Sequence, residues 1–312
     1  MKGVASASGK VILLGEHAVV YGVPALAAGI DRGATATAVR SERATLKLGD
    51  RSCAADDGTD TARAFSSLLA DLGAPPVAIE VTLSVLPGCG LGASAAISIA
   101  IARAVIEALE PAPPDFASPA WMERVLSAGA AWERVFHGNP SGIDAAAAAA
   151  GGCISFTRGE GITPVELGRD LPLVIAVAGP PASTKEMVEG LARLRERRPE
   201  MVNKSLDGIH SLVRNARLCL EAGDIVGLGK LMDLNQMLLS GLFLSTQDIE
   251  RACKVARDAG ALGAKLTGSG GGGCVIALTD GESDAVLEAW RSAGFECFAT
   301  RVRQRPAQRV SQ

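Results

Sequence analysis

Pro87-Gly88-Cys89-Gly90-Leu91-Gly92-Ala93-Ser94-Ala95-Ala96 is the stretch on which the reading of this chain turns. Before it, Val77, Ile79, Val81, Leu83 and Val85 alternate with Ala78, Glu80, Thr82 and Ser84. Period two marks a half-buried strand. Leu86-Pro87-Gly88 ends it, and from Ser94 the residues are mostly strong helix formers. A helix starting near Ser94 leaves its first N–H groups unpaired and facing the glycines, with the positive end of its dipole behind them. Glycine permits close backbone approach and positive φ, so Pro87 to Ser94 reads as a phosphate cradle.

Two other phosphate motifs fit less well. Gly88-x-Gly90-x-x-Ala93 matches a loose dinucleotide fingerprint, which needs a second strand ending in an acidic residue about 20 positions on. Here the helix runs into Glu110-Pro111-Ala112-Pro113-Pro114 instead. Gly3 to Lys10 approaches a P-loop, but it has one residue too many between the glycines. Val11 also stands where a magnesium-binding Ser or Thr belongs.

The chain has 312 residues, enough for two modest domains or one large one. Apolar residues make up 48% and charged residues 21%, as in a packed soluble protein. A net charge of −3 suggests neither a nucleic-acid partner nor a membrane surface. The arginines at 193, 195, 197 and 198 read as a solvated helix face. Seven cysteines without a C-x-x-C pair fit reduced thiols in a cytoplasmic enzyme and argue against zinc. Val11 to Leu14 is too short for a secretory h-region, and Arg103 interrupts the longest apolar run. The expected partner is a small molecule, and a homodimer is left open.

Strands are expected at Lys10 to Leu14, within Ala36 to Leu48, at Cys153 to Phe156, Leu171 to Val177 and Cys274 to Leu278. Helices are expected at Asp60 to Leu72, Ala120 to Val135, Thr184 to Arg197, Asn203 to Ala222, Ile225 to Leu239 and Thr246 to Ala261. Ala145 to Ala150 reads as a buried helical turn or two, and Thr157 to Arg169 as a turn-rich connector. A boundary near residue 170 gives domains of 1–170 and 171–312. Mixed strands and helices in both halves indicate an α+β fold.

Phosphoryl transfer needs a cradle, a divalent cation with oxygen ligands, a positive side chain and a group that receives or orients the acceptor proton. Ser94 can offer a hydroxyl at the mouth of the cradle. Glu133 lies before the turn-forming Asn139-Pro140-Ser141-Gly142, and Asp144 follows it. Magnesium takes one or two protein oxygens beside phosphate and water, a role open to Ser94 and Glu133. Each also has a purely structural reading. Ser94 and Asp144 could cap helices, Glu133 could lie on a helix surface, and Lys10 could end a strand. His17 and His137 fit structural hydrogen bonding.

The combination resembles the GHMP kinases. Gly9-Lys10-Val11-Ile12-Leu13-Leu14-Gly15-Glu16-His17-Ala18-Val19-Val20-Tyr21-Gly22 is similar to the family's first motif. Pro87 to Ala96 is similar to its second motif, and Lys265-Leu266-Thr267-Gly268-Ser269-Gly270-Gly271-Gly272-Gly273-Cys274 to its third. Glu133-Arg134-Val135-Phe136-His137-Gly138-Asn139-Pro140-Ser141-Gly142-Ile143-Asp144 narrows the likeness to members that act on mevalonate.

The resemblance implies a two-domain α+β fold, ribosomal-protein S5-like in the first domain and ferredoxin-like in the second. It implies ATP as co-substrate, Mg2+, and phosphorylation of mevalonate at its primary hydroxyl. Phosphomevalonate or homoserine kinase activity and a silent ligand-binding sensor are the alternatives. By position, Asp144 matches the catalytic aspartate and Lys10 its neighbouring lysine. Pro87, Gly88, Cys89, Gly90, Leu91, Gly92, Ala93 and Ser94 match the ATP cradle. Ser94 and Glu133 match the metal ligands. Glu16, His17 and Thr184, together with Lys10 and Asp144, match the acceptor pocket. Ser8, Ala93, Ala145 and Ser269 depart from the family's usual residues.

Overall fold

The computed structural model describes residues 2–112, 114–137 and 141–304. The Asn139-Pro140 part of the expected turn lies outside them. The chain forms two compact units. The first holds Met1–Lys10, Arg32–Pro87 and Leu91–Gly151, and the second holds Val11–Asp31, Gly88–Gly90 and Gly152–Gln312. This is not a single cut near residue 170. Strands β1 (Lys2–Leu14) and β2 (Ala25–Arg40) each give residues to both units. At about 3.3 Å per residue, strands of that length outrun one small core.

In the first unit, residues 34–40 of β2 run antiparallel to β5 (Val77–Leu83), with Ala34 opposite Leu83. The other side of β5 takes β3 (Thr45–Leu48) in parallel, and β3 forms a hairpin with β4 (Arg51–Ala54). The strand material expected over 36–48 is therefore broken by a turn at 41–44. Helices α1 (Asp60–Leu72), α2 (Ala93–Leu109), α3 (Pro119–His137) and α4 (Ile143–Ala150) complete the unit. Val77, Ile79 and Val81 face a core built with Phe65, Leu68, Ile99, Val105 and Trp132. Leu83 is exposed and Val85 lies beyond the strand, so the alternating run ends earlier than its pattern suggested. Helix α2 is apolar nearly all round because it is central, touching α1, α3, α4 and β5.

In the second unit, residues 25–28 of β2 pair with β6 (Cys153–Thr157), which forms a hairpin with β7 (Gly161–Val165). The turn-rich connector thus contains a strand. Pro164 hides it in sequence, yet an edge strand tolerates proline. There follow β8 (Leu171–Val177), α5 (Thr184–Arg197), α6 (Pro199–Ala222), α7 (Ile225–Gly241), α8 (Gln247–Asp258), β9 (Gly263–Thr267), β10 (Cys274–Leu278), α9 (Asp284–Ser292) and β11 (Cys297–Val302). The last four strands form an antiparallel sheet in the order β11-β8-β10-β9, in contact with α7, α8 and α9. The α+β class is as expected. Among the described residues, no helix is long and apolar enough to cross a membrane.

Trp290 on α9 is fully buried and donates its indole N–H to Ala252 O at 2.9 Å. Trp290→Ala removes a large side chain and a satisfied donor at once. It should cost about 3–5 kcal/mol of unfolding free energy in urea titration. A loss under about 1 kcal/mol would mean that this helix contributes little to the core.

Candidate active site

In the first unit the site is built on Lys10, near the middle of β1. Its backbone N–H donates to Leu91 O at 2.8 Å, which ties the strand to the glycine segment. Its side-chain stem crosses Gly92, where an added Cβ would lie 2.6 Å from Lys10 Cγ. Gly92 also has φ 71° and is the residue from which α2 starts. Glycine is thus required there by both space and conformation. Ser94 therefore lies inside α2 and is not its cap.

The Lys10 side chain is 5% exposed, and its ammonium lies 3.1 Å from Asp144 Oδ1. Gly142, at φ 84°, begins α4 and puts Asp144 in its first turn, where the helix dipole favours a carboxylate. Asp144 is not the cap either. Its side chain is 43% exposed, so the carboxylate has a buried cation on one side and open space on another.

Ser94 donates to Glu133 Oε1 on α3 and accepts from the Trp132 indole N–H at 3.1 Å. Gly129 makes this possible. It lies one turn before Glu133, and a Cβ there would be 2.9 Å from Ile99 Cδ1 on α2. The close approach of α2 and α3 places two oxygens of different residues side by side, Glu133 being 7% exposed. Among the described residues no cluster of three His, Cys, Asp or Glu could hold a metal. A hydroxyl and a carboxylate suit a hard cation that completes its shell with phosphate and water.

In the second unit, Glu16 is 1% exposed and bonded to the Lys265 ammonium and to Asn235 Nδ2 at 3.1 Å. Burial pulls the Lys265 pKa down, and the Glu16 charge opposes that pull. His17 follows with φ 59°, rare for a residue with a side chain. Its Nε2 lies 2.7 Å from Ser269 O, a pure acceptor, so Nε2 carries the hydrogen and Nδ1 is a lone pair. That buried Nδ1 has no partner. Desolvation lowers the His17 pKa, with the Ser269 carbonyl as a smaller opposing effect.

The third glycine segment lies against the second. Cβ atoms built at Gly268 and Gly273 would fall 3.8 Å from Gly90 O and 3.6 Å from Cys89 O. Thr184 is exposed at the start of α5, where Ser183 accepts from Glu186 N, and shares no hydrogen bond with Glu16 or His17.

The structure thus groups Lys10, Ser94, Glu133 and Asp144 in the first unit, and Glu16 and His17 around the third glycine segment in the second. Sequence reasoning passed over Trp132, Asn235 and the role of Lys265. Lys265 lies between Ala264 and Leu266 in an apolar strand, a pattern that calls for a buried acid as partner. Nothing in the local sequence marks Trp132 as more than a core residue.

The family model for the GHMP kinases N terminal domain matches residues 60–152, and that for GHMP kinases C terminal matches 216–296. The mevalonate kinase of Thermococcus gammatolerans is 33% identical over 97% of this chain and 96% of its own. That of Pyrococcus furiosus is 34% identical, again over 97% and 96%. The crystal structure of L. major mevalonate kinase in complex with R-mevalonate superposes with a TM-score of 0.85 at 28% identity, covering 98% of this chain and 97% of that one. The chain belongs to the GHMP kinase family. It is an ATP-dependent kinase of a small molecule.

His17 also carries a pH signature. A pKa held below the ordinary 6.5 means that the unfolded chain binds the proton first. This contribution to stability is whole above pH 6.5 and falls as pH drops through and below that value. In urea titrations at pH 7 and pH 5.5, His17→Gln should lose less stability on acidification than the parent. Equal losses would mean that His17 is protonated in the folded state.

Proposed function

We propose that this protein transfers the γ-phosphoryl group of ATP to the primary hydroxyl of mevalonate, giving 5-phosphomevalonate. The observation that carries the chemistry is the buried Lys10 ammonium 3.1 Å from the half-exposed Asp144 carboxylate, beside a glycine-led helix start. The full-length similarity to mevalonate kinases supports the acceptor.

In this reading the ATP phosphates rest on residues 88–94, with Pro87 leading in. Ser94 and Glu133 would hold Mg2+, which would supply neutralisation of phosphate charge. Asp144 receives or orients the proton of the attacking hydroxyl, and the Lys10 cation stabilises negative charge on the transferring group. His17 offers its unpartnered Nδ1 to a substrate hydroxyl, and Thr184 offers a second hydrogen bond. The Glu16 carboxylate is already taken by Lys265 and Asn235. Its part is to hold the turn that presents His17. A site that hydrogen-bonds its substrate rejects analogues that leave its groups unpaired, often by about 10⁴-fold.

The test is ATP consumption with mevalonate, phosphomevalonate, homoserine and galactose as acceptors. Mevalonate should give the highest kcat/KM by a wide margin. A lead by phosphomevalonate or homoserine would overturn the substrate. Consumption with none would favour a silent sensor. Asp144→Asn should lower kcat by roughly 10²–10⁴-fold with little change in ATP binding. Turnover near the parent rate would remove Asp144 from the mechanism. Ser94→Ala and Glu133→Ala should each raise the magnesium concentration for half-maximal rate, and an unchanged magnesium dependence in both would refute that ligand pair.

A further inference from the structure

The cysteine in the middle of the phosphate cradle has a thiol partner. Cys89 lies between Gly88 and Gly90, both at positive φ. Cys274 is the first residue of β10, fully buried, and is held in register between Val177 and Thr267. The backbones meet here, since a Cβ on Gly273 would lie 3.6 Å from Cys89 O. The thiols meet too, the Cys89 side chain being hydrogen-bonded to that of Cys274. Cys89 is half-buried and reachable, whereas Cys153 and Cys253 are buried with thiols pushed up to about 12.

We propose that Cys89 and Cys274 are a reversible disulfide site, and that closing it weakens ATP binding. The loss of ATP binding rests on the cradle reading above, but bond formation does not. With a peroxide as oxidant, the Cys89 sulfur takes one oxygen to become a sulfenic acid and one water leaves. The Cys274 sulfur then attacks it, the S–S bond forms, and the hydroxyl leaves as a second water. Two thiols and one hydrogen peroxide thus give one disulfide and two waters. A dithiol reductant reverses the change. Burial and the nearby Glu296 raise the Cys89 thiol and slow the first step, while the Cys274 hydrogen bond lowers it.

A disulfide here matters because the two cysteines belong to segments of different rigidity. Cys274 is fixed by ladder pairing on both sides. Cys89 is flanked by glycines whose backbone must be free to follow a phosphate. Joining them pins the cradle to the sheet.

The experiment treats the full-length protein with hydrogen peroxide, maps disulfides by peptide mass spectrometry, and measures the KM for ATP before and after dithiothreitol. The expected result is a Cys89–Cys274 peptide, a KM for ATP raised ten-fold or more, and recovery on reduction. Cys274→Ser should give no such peptide, its Cys89 stopping at the sulfenic acid. Each protein is compared with its own reduced form, so any basal effect of the substitution cancels. Absence of the 89–274 peptide from the oxidised parent protein overturns the site. A mapped disulfide with unchanged KM overturns the regulatory half. Failure of the reduced enzyme to use ATP at all would instead count against the cradle reading.

Discussion

A buried lysine laid across a glycine organises the first unit. Lys10 cannot adopt its position unless residue 92 lacks a side chain, and Gly92 cannot take its left-handed conformation cheaply unless it is glycine. The same residue thus launches α2 and clears the path for the Lys10 stem. The backbone of Lys10 fixes the loop through Leu91, and its ammonium meets Asp144 from α4. A strand, a loop and two helix starts are therefore set by one extended side chain. An ammonium on a side chain this deep must be paired, and Asp144 is the partner, its own side chain still 43% exposed.

The second unit is organised by a different buried charge. Glu16 and Lys265 are both removed from water, which is costly unless the geometry and added hydrogen bonds compensate. Asn235 and the Leu266 carbonyl supply those bonds. Thr267 adds a two-way tie to Ile12, at 2.8 and 3.2 Å. The Gly15–His17 turn is thereby held to β9 and the glycine segment after it. In that segment Gly270 and Gly272 pass so close to Leu244 O and Pro180 O that any Cβ would collide. The loop's glycines serve packing as much as conformation.

Much of this was legible in the sequence because the signals are local. The alternation over 77–83 and the glycines before α2 each specify their element. The pairing of Ser94 with Glu133, 39 positions apart, and of Lys10 with Asp144 became specific only with the family resemblance. What stayed hidden was long-range or masked. Pro164 disguised β7, and β9, α9 and β11 are short elements whose faces are decided by the sheet they join. The Glu16–Lys265 pair joins residues 249 positions apart, and only folding reveals that the Glu16 carboxylate is already engaged.

In the proposed reaction the Lys10 cation acts on the transferring phosphoryl group, while its stem only occupies space over Gly92. Lys10→Met keeps most of that stem and removes the charge. The direct measurement is single-turnover phosphoryl transfer from ATP to mevalonate in this variant, beside ATP affinity by calorimetry. The transfer rate should fall by about 10²-fold or more with ATP affinity within a few-fold of the parent, as on removal of a charge-stabilising group. A transfer rate near the parent value would contradict that role and leave Lys10 a structural residue.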